Sequence, residues 1–149
     1  MFKRIGVIGA GAMGRGIAQL FASSGQQVLL FDTRAEAIDD ALAFNRNLLQ
    51  RAQAKGKMTE AELAATIARM QPAQTLEQLK DCDLVIEAIV ELLDVKQKLF
   101  ADLEAIVSED CVLATNTSSL SVTRIASTAN KPERVAGFHF FNPVPLMKI

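Results

Sequence analysis

The sequence predicts an α/β fold with a doubly wound, mainly parallel sheet, and three observations support this prediction. Short apolar runs have the length and composition of buried parallel strands, and a weaker run lies near Met70–Thr75. Helix-length amphipathic segments separate these runs, which is the alternation typical of βαβ units. The first run leads directly into a glycine-rich loop. The strong runs are Ile5–Ile8, Val28–Phe31, Leu84–Ala88, Val112–Thr115 and Val135–Phe140.

The glycine-rich loop after the first run reads Gly9-Ala10-Gly11-Ala12-Met13-Gly14, a G-x-G-x-x-G pattern at the start of a helical segment. In such a loop Gly9 permits a tight turn, Gly11 lets backbone N–H groups approach a diphosphate, and Gly14 allows close packing of helix on strand. The diphosphate lies on the positive end of the helix dipole. The loop therefore predicts a dinucleotide site of the Rossmann type.

The second apolar run ends in Asp32, where an acid can bind a ribose 2′-hydroxyl and repel a 2′-phosphate. This placement favours NAD. Arg34, two residues later, is the one feature that favours NADP instead.

The segment of about residues 35–70 is longer than one crossover helix requires. It divides into two helices at Lys55-Gly56-Lys57, and the second begins with a capping box formed by Thr59 and Glu62. We therefore expect a helical hairpin inserted at the edge of the sheet. Its lysines either meet substrate phosphates or belong to an ordinary solvated turn, and the pattern leaves both interpretations open.

A later helix is predicted over Asp94–Val107, with Asp94 as its N-cap. The apolar stripe expected to face the sheet consists of Val95, Leu99, Leu103 and Ile106.

Length and composition predict a single domain over residues 1–149. The net charge is −1, with 16 basic and 17 acidic residues well mixed, so we expect neither a nucleic acid partner nor a membrane partner. Cys82 and Cys111 have neither the spacing nor the number of a disulfide framework or a metal site. They are expected to be buried free thiols in the reducing cytoplasm, and no metal site is expected.

Polar residues follow several of the predicted strands, at the sheet edge where parallel α/β folds bind ligands. Glu87 and Glu91 follow the third strong run, Asn116-Thr117-Ser118-Ser119 follows the fourth, and the only histidine, His139, lies in the fifth. We expect these loops to converge with the glycine loop on one crevice.

His139 lies between two phenylalanines, and by itself it is more consistent with a core residue than with a catalyst. Hydride transfer from a secondary alcohol needs a group that takes the hydroxyl proton, which imidazole can do near neutral pH. Ser118 and Asn142 would supply hydroxyl and amide donors near the same edge. Ser118 and Asn116 are equally suited to cap the following helix, so both interpretations stay open.

Four motifs occur together in order: the glycine loop, Val85-Ile86-Glu87-Ala88-Ile89-Val90-Glu91, Asn116-Thr117-Ser118-Ser119-Leu120 and Gly137-Phe138-His139-Phe140-Phe141-Asn142-Pro143. With them the chain resembles the L-3-hydroxyacyl-CoA dehydrogenases over essentially its whole length. Members of this family act on 3-hydroxybutyryl-CoA, or on 3-hydroxyadipyl-CoA in phenylacetate breakdown. The resemblance implies an NAD-binding domain that takes part in fatty acid metabolism and β-oxidation.

The resemblance also implies roles for individual residues. His139 matches the general base that takes the 3-hydroxyl proton, Ser118 the residue that binds the substrate oxygen, and Asn142 a position near the nicotinamide. Lys55 matches a lysine associated with the CoA phosphates. The implied cofactor contacts are Gly9, Ala10, Gly11, Ala12, Met13, Gly14, Asp32, Glu91, Lys96, Asn116, Ser118 and Asn142.

In the family an all-helical domain follows the NAD-binding domain, forms a homodimer and closes over the acyl-CoA. A glutamate that orients the histidine follows the segment corresponding to Pro143–Lys148, beyond Ile149. The resemblance therefore implies that these 149 residues bind NAD(H) but turn over poorly without that domain. Two other functions fit the same residues: an NAD-binding sensor without catalysis, and an NAD(P) hydroxyacid dehydrogenase that does not use CoA.

Overall fold

The computed structural model describes residues 1–140 and 144, and in this part of the chain six strands form one parallel sheet. Their order across the sheet is β3-β2-β1-β4-β5-β6, so the winding reverses between β1 and β4. The doubly wound fold is thus confirmed. The strands are β1 (Arg4–Ile8), β2 (Gln27–Phe31), β3 (Met70–Pro72), β4 (Leu84–Glu87), β5 (Val112–Thr115) and β6 (Val135–Gly137).

Successive residues of a strand point to opposite sides of the sheet, and helices cover both of these sides. On one side Val7 packs with Ile17 and Ile38 from two of the helices. On the other side the next residue of the same strand, Ile8, packs with Phe100. The helices are α1 (Ala12–Ser23), α2 (Ala35–Ala54), α3 (Glu60–Arg69), α4 (Leu93–Ile106) and α5 (Val122–Ala126), and short 3₁₀ turns lie at Leu76–Leu79 and Pro132–Arg134.

The helical hairpin predicted for about residues 35–70 is formed by α2 and α3. Thr59 caps α3 as expected: its hydroxyl accepts from the N–H of Glu62, whose carboxylate accepts from the N–H of Thr59. Ile38, Ala41 and Leu49 of α2 are buried in the same core as α1. Both cysteines are buried and free, as predicted.

The prediction for the start of α4 is wrong, and the prediction for its buried face is wrong at Val95. The helix begins at Leu93 after Leu92, which makes no side-chain capping bond, so Asp94 lies inside the first turn. Val95, expected on the buried stripe, is 42% exposed. The buried residues of the helix are Lys96, Phe100 and Leu103, and Leu99 and Ile106 pack against the core beside them. Lys96 can lie on this face because its ammonium group has two anionic partners inside the fold, Glu87 and Glu91.

The last strand is shorter than its apolar run predicts, since β6 ends at Gly137 rather than at Phe140. Its partner β5 ends at Thr115, and beyond that point a side chain replaces the neighbouring backbone: Oδ1 of Asn116 accepts from the N–H of Phe140 at 3.1 Å. Phe140 is buried, and so is Val144. The backbone N–H of Phe140 therefore has a hydrogen-bond partner although the pairing of β5 with β6 ends at Gly137.

Candidate active site

The glycine loop turns sharply at Gly9, whose φ of +104° lies in the region that favours glycine. The N–H of Gly9 donates to the carbonyl of Phe31 at 2.8 Å, which ties the loop to the end of β2. A Cβ on Gly14 would overlap the carbonyl oxygen of Gly9, so α1 packs as closely as possible against the loop. A Cβ on Gly11 would meet no atom within 4 Å. The surroundings of Gly11 therefore leave room for a ligand.

A groove of about 550 Å³ lies beyond the ends of β1, β2 and β4, beside the point where the winding reverses. Gly9, Gly11 and Asp32 line it, together with apolar side chains that include Ile89 and Val95. The first N–H groups of α1 lack helical partners, and its N-cap Gly11 offers no side-chain acceptor. An anionic group in this groove can use them.

Asp32 is held in one orientation at the end of β2. One carboxylate oxygen accepts from the N–H of Ala10 at 2.8 Å and the other from the N–H of Arg34 at 2.9 Å. Because each carboxylate oxygen has two lone pairs, both oxygens can still accept from hydroxyl groups in the groove. The guanidinium of Arg34 lies 3.5 Å from the carboxylate of Glu36, and both side chains are exposed.

The remaining loop residues predicted to bind a cofactor lie in three different environments. Ala10 is buried, Ala12 begins α1 at the surface, and Met13 is half-buried against the core. The N–H of Ala10 orients the carboxylate of Asp32, a structural role that the sequence pattern did not indicate.

A buried ion pair joins the ends of β4 and α4. The ammonium of Lys96 donates to both carboxylate oxygens of Glu87, at 2.7 and 2.9 Å, and both side chains are fully buried. Glu87 also accepts from the hydroxyl of Thr115 and from the N–H of Ile89. Lys96 is thus enclosed by side chains of its own chain. The sequence did not predict the pairing of Lys96 with Glu87. Its one indication in the sequence is a glutamate at the end of an apolar strand.

Glu91 connects this ion pair to the loop after β5. Its carboxylate accepts from the hydroxyls of Thr117 and Ser119 at 2.6 and 2.8 Å and lies 3.0 Å from the ammonium of Lys96. Burial by itself would raise the pKa of Glu91, but the hydrogen bonds from Thr117, Lys96 and Ser119 outweigh it and lower the pKa to about 2. Glu91 is therefore ionised throughout the physiological range, and Ser118 lies exposed between its two hydroxyl partners.

Ser118 and His139 follow neighbouring strands, because β5 pairs with β6 through Thr115 and Gly137. The Asn116–Phe140 hydrogen bond joins their two segments directly. Phe140 anchors the second segment through edge contacts with the rings of Phe21 and Phe138, and it leaves His139 exposed at the same edge. Asn142, the third predicted catalytic residue, lies outside the described residues.

A second cavity, of about 440 Å³, lies between α1 and α2. Its walls include Leu48 and Leu49, and its rim is cationic, with Arg15, Arg51, Lys55 and Lys57 among the lining residues. Ala12 lines this cavity and the adjacent Gly11 lines the groove, so the two cavities flank the start of α1.

Among residues 1–140 and 144, no group of three or more histidine, cysteine, aspartate or glutamate side chains is placed to hold a metal ion. Over the same residues, no helix combines the length and apolar character needed to cross a membrane.

A parallel sheet with this strand order, a glycine loop at its reversal point and an acid at the end of β2 defines a dinucleotide-binding domain of the oxidoreductase type. The family model described as 3-hydroxyacyl-CoA dehydrogenase, NAD binding domain, matches residues 4–149, and the chain belongs to this family. The cofactor of the family is NAD.

Relatives with known names agree with this assignment. A 3-hydroxybutyryl-CoA dehydrogenase of Clostridioides difficile is 46% identical over 146 residues, which make up 98% of this chain and 52% of that protein. A 3-hydroxyadipyl-CoA dehydrogenase of Escherichia coli K12 is 46% identical over 147 residues, 99% of this chain and 31% of that protein. The chain thus spans about half the length of the first relative and about a third of the second.

Solved structures give the same result. The crystal structure of (S)-3-hydroxybutyryl-CoA dehydrogenase from Ralstonia eutropha matches with a TM-score of 0.94 at 39% identity. The match covers 99% of this chain and 52% of that one. The likeness therefore concerns the NAD-binding half of the longer protein.

Proposed function

We propose that this chain is the NAD-binding half of a 3-hydroxyacyl-CoA dehydrogenase, which oxidises the 3-hydroxyl of an acyl-CoA to a 3-keto group. The observation that carries the proposal is the hydrogen bond from Phe140 to Asn116, because it joins the segments of His139 and Ser118 at the ligand-binding edge of the sheet. An exposed imidazole and an exposed hydroxyl at this edge are the groups that oxidation of an alcohol requires.

The groove has the features that NAD needs. The open space at Gly11 and the N-terminus of α1 suit the diphosphate, and the fixed carboxylate of Asp32 suits the ribose hydroxyls. Bound NAD would accept the hydride from C3 of the substrate. The negative charge of Asp32 disfavours a 2′-phosphate, while Arg34 lies beside the carboxylate of Glu36.

The proposed chemistry of the chain's own residues has two parts. The hydroxyl of Ser118 donates to the substrate oxygen and fixes its position, and the imidazole of His139 takes the proton of the 3-hydroxyl as the hydride leaves C3. In the reverse reaction the imidazolium returns that proton to the 3-keto oxygen. Asn142 would contribute an amide near the nicotinamide.

The second cavity supports a CoA ester as the substrate. Its rim brings Arg15, Arg51, Lys55 and Lys57 to one opening, and none of the described residues that line it is acidic. Such a rim suits the phosphates of CoA, with Lys55 as one contact. Since the two cavities flank the start of α1, a CoA ester here would lie next to the cofactor. We further propose a 3-hydroxybutyryl or 3-hydroxyadipyl group as the acyl part, by analogy with the named relatives.

The test is oxidation of NADH in the presence of acetoacetyl-CoA, measured for the wild-type protein and for His139→Ala. We expect the variant to lose at least about 100-fold in kcat, the contribution of a general acid–base group, while its Kd for NADH stays the same. Thr128→Ala, an exposed substitution elsewhere on the surface, is the control and should keep full activity.

Each rival function predicts a different result. A sensor would bind NADH without turnover in any variant. A dehydrogenase of free acids would reduce acetoacetate as well as acetoacetyl-CoA, and Lys55→Ala would change neither reaction. Under our proposal Lys55→Ala raises KM for the CoA ester alone. Because the relatives are longer, we expect residues 1–149 by themselves to bind NADH and to turn over slowly.

A further inference from the structure

The side chain of Asn116 takes the place of a backbone acceptor next to His139. We propose that Asn116 is a positioning residue for His139, a role that rests on the proposed function, in which His139 is the general base. Asn116 does not cap the following helix, since α5 begins after Ser121, whose hydroxyl accepts from the N–H of Arg124 at 3.3 Å. Its side-chain oxygen accepts from the N–H of Phe140 instead.

This hydrogen bond lies where the backbone pairing of β5 with β6 ends. The N–H of Phe138 donates to the carbonyl of Thr115 at 2.9 Å. In a continued parallel ladder, the N–H of Phe140 would donate next, to the carbonyl of Thr117. Oδ1 of Asn116 accepts from this N–H at 3.1 Å. One side-chain oxygen therefore supplies the next rung of the ladder.

Asn116 is itself held by a neighbouring strand. Its backbone N–H donates at 2.9 Å to the carbonyl of Glu87, the last residue of β4. Asn116 is half-buried, and its side chain reaches from the end of β5 to the segment that follows β6. The ends of three neighbouring strands are thus linked through one residue.

The hydrogen bond acts on the backbone from which the imidazole projects. The N–H that it holds belongs to the peptide group between His139 and Phe140, and because a peptide group is planar, the bond restrains the Cα of His139 as well. Burial alternates along this segment: Phe138 is half-buried, His139 exposed and Phe140 buried. The ring of Phe140 makes edge contacts with Phe138 and with Phe21 of α1. The rings and the Asn116 bond therefore set the position of His139 from opposite ends of one peptide unit.

The proposed role concerns only the acceptor atom of the Asn116 side chain. An amide group also has a donor nitrogen, so Nδ2 can donate to a bound cofactor while Oδ1 holds Phe140. Asn116→Asp keeps the acceptor and removes the donor, whereas Asn116→Leu removes both at similar volume. The two variants therefore separate positioning of His139 from a contact with the cofactor.

The test measures kcat and KM for acetoacetyl-CoA, and Kd for NADH, in these variants and in Asn116→Leu/His139→Ala. We expect Asn116→Leu to lose about ten-fold or more in kcat, because the imidazole is misplaced, with a much smaller change in KM. Asn116→Asp should keep most of the wild-type kcat. In the background of His139→Ala, Asn116→Leu should cost nothing further, because it acts through an imidazole that is already absent. Asn130→Leu, at an exposed asparagine, is the matched control and should behave as the wild type.

Nuclear magnetic resonance provides a second measurement that needs no turnover. His139 is the only histidine of the chain, so its ring proton signals are unambiguous. They should move or broaden in Asn116→Leu and stay unchanged in Asn130→Leu. The N–H of Phe140 should exchange faster in Asn116→Leu and at the wild-type rate in Asn116→Asp, while the amides of β1 and β2 stay as protected as before. If Asn116→Leu does not fold, Asn116→Ala carries both measurements.

Failure of the positioning role and failure of the proposed function give different results. Wild-type kcat in Asn116→Leu, or kcat losses that add in the double variant, would overturn the positioning role. So would an equal loss in Asn116→Asp together with a higher Kd for NADH, because the side chain would then serve the cofactor through its donor. Absence of turnover in the wild type would overturn the proposed function alone. In that case, unchanged ring signals and unchanged Phe140 exchange in Asn116→Leu would overturn the positioning role as well.

Discussion

Gly11 and Gly14 lie three residues apart in one loop, yet an added methyl group meets opposite surroundings at the two positions. At Gly14 the Cβ would overlap the carbonyl of Gly9, and at Gly11 it would point into open space. We expect Gly14→Ala to lower the free energy of unfolding by about 2 kcal/mol or more, since backbone atoms must shift. Gly11→Ala should change it by less than about 1 kcal/mol, because the backbone at Gly11 suits alanine.

NADH binding should be lost in both variants, but for different reasons. The methyl group of Gly11→Ala occupies the space through which the diphosphate approaches the backbone, so the fold is intact and the site is blocked. Urea unfolding and fluorescence titration with NADH measure the two effects separately. Wild-type NADH affinity in Gly11→Ala would mean that the cofactor does not approach this part of the groove.

Among the elements, α4 depends most on a polar contact, because its buried face begins with Lys96 between Glu87 and Glu91. Lys96→Met keeps the length of the side chain but removes the cation, which leaves Glu87 buried without its counter-charge. We expect the free energy of unfolding to fall by about 3 kcal/mol, and Lys96→Met/Glu87→Gln to recover part of this loss. Urea unfolding measures both values.

Lys98→Met is the control on the same helix, because Lys98 forms an exposed ion pair with Asp102 at 2.9 Å. Such a pair contributes at most about 0.5 kcal/mol. If Lys96→Met and Lys98→Met were equally stable, the ammonium of Lys96 would not be the counter-charge that Glu87 needs inside the fold.

The same helix shows why one part of the fold followed from sequence and another did not. Leu99, Leu103 and Ile106 all contact the core as the apolar stripe predicts, so the existence and direction of α4 could be read from periodicity. The burial of Lys96 on the same helix depends on a lysine–glutamate contact between residues nine positions apart. A hydrophobic pattern carries no information about that contact, because it counts both residues as polar.

At the scale of the whole molecule, the alternation of strands and helices was sufficient to predict the doubly wound sheet, because right-handed crossovers leave few other arrangements. The pattern also predicted that Glu91, Ser118 and His139 would lie at one edge, since the carboxyl ends of parallel strands meet there. It could not predict which polar residues bind each other. The bonds of Glu91 to Thr117 and of Asn116 to Phe140 depend on side-chain geometry across three loops.

The stability of the whole protein should fall on both sides of a broad plateau in pH. Burial raises the pKa of the Cys82 thiol to about 12 and that of Cys111 to about 11, from an ordinary value of 9.0. Above pH 9 the unfolded chain releases two protons that the folded chain keeps, so each thiol costs about 1.4 kcal/mol per pH unit until it ionises in the folded protein. On the acid side, the pKa of Glu91 is lowered to about 2, so its contribution is present above pH 4.5 and is lost between about pH 4.5 and 2.

Urea unfolding at a series of pH values tests the alkaline side, with Cys82→Ala/Cys111→Ala as the comparison. The double variant should be less stable at neutral pH because it has lost buried volume, but its stability should decline less steeply above pH 9. Since the chain has neither tyrosine nor tryptophan, the ultraviolet absorbance of thiolate reports directly whether the cysteines have ionised. The same slope in both proteins, with thiolate already present in the folded wild type near pH 9, would contradict the prediction, because the burial of the two thiols would then not hold back their ionisation.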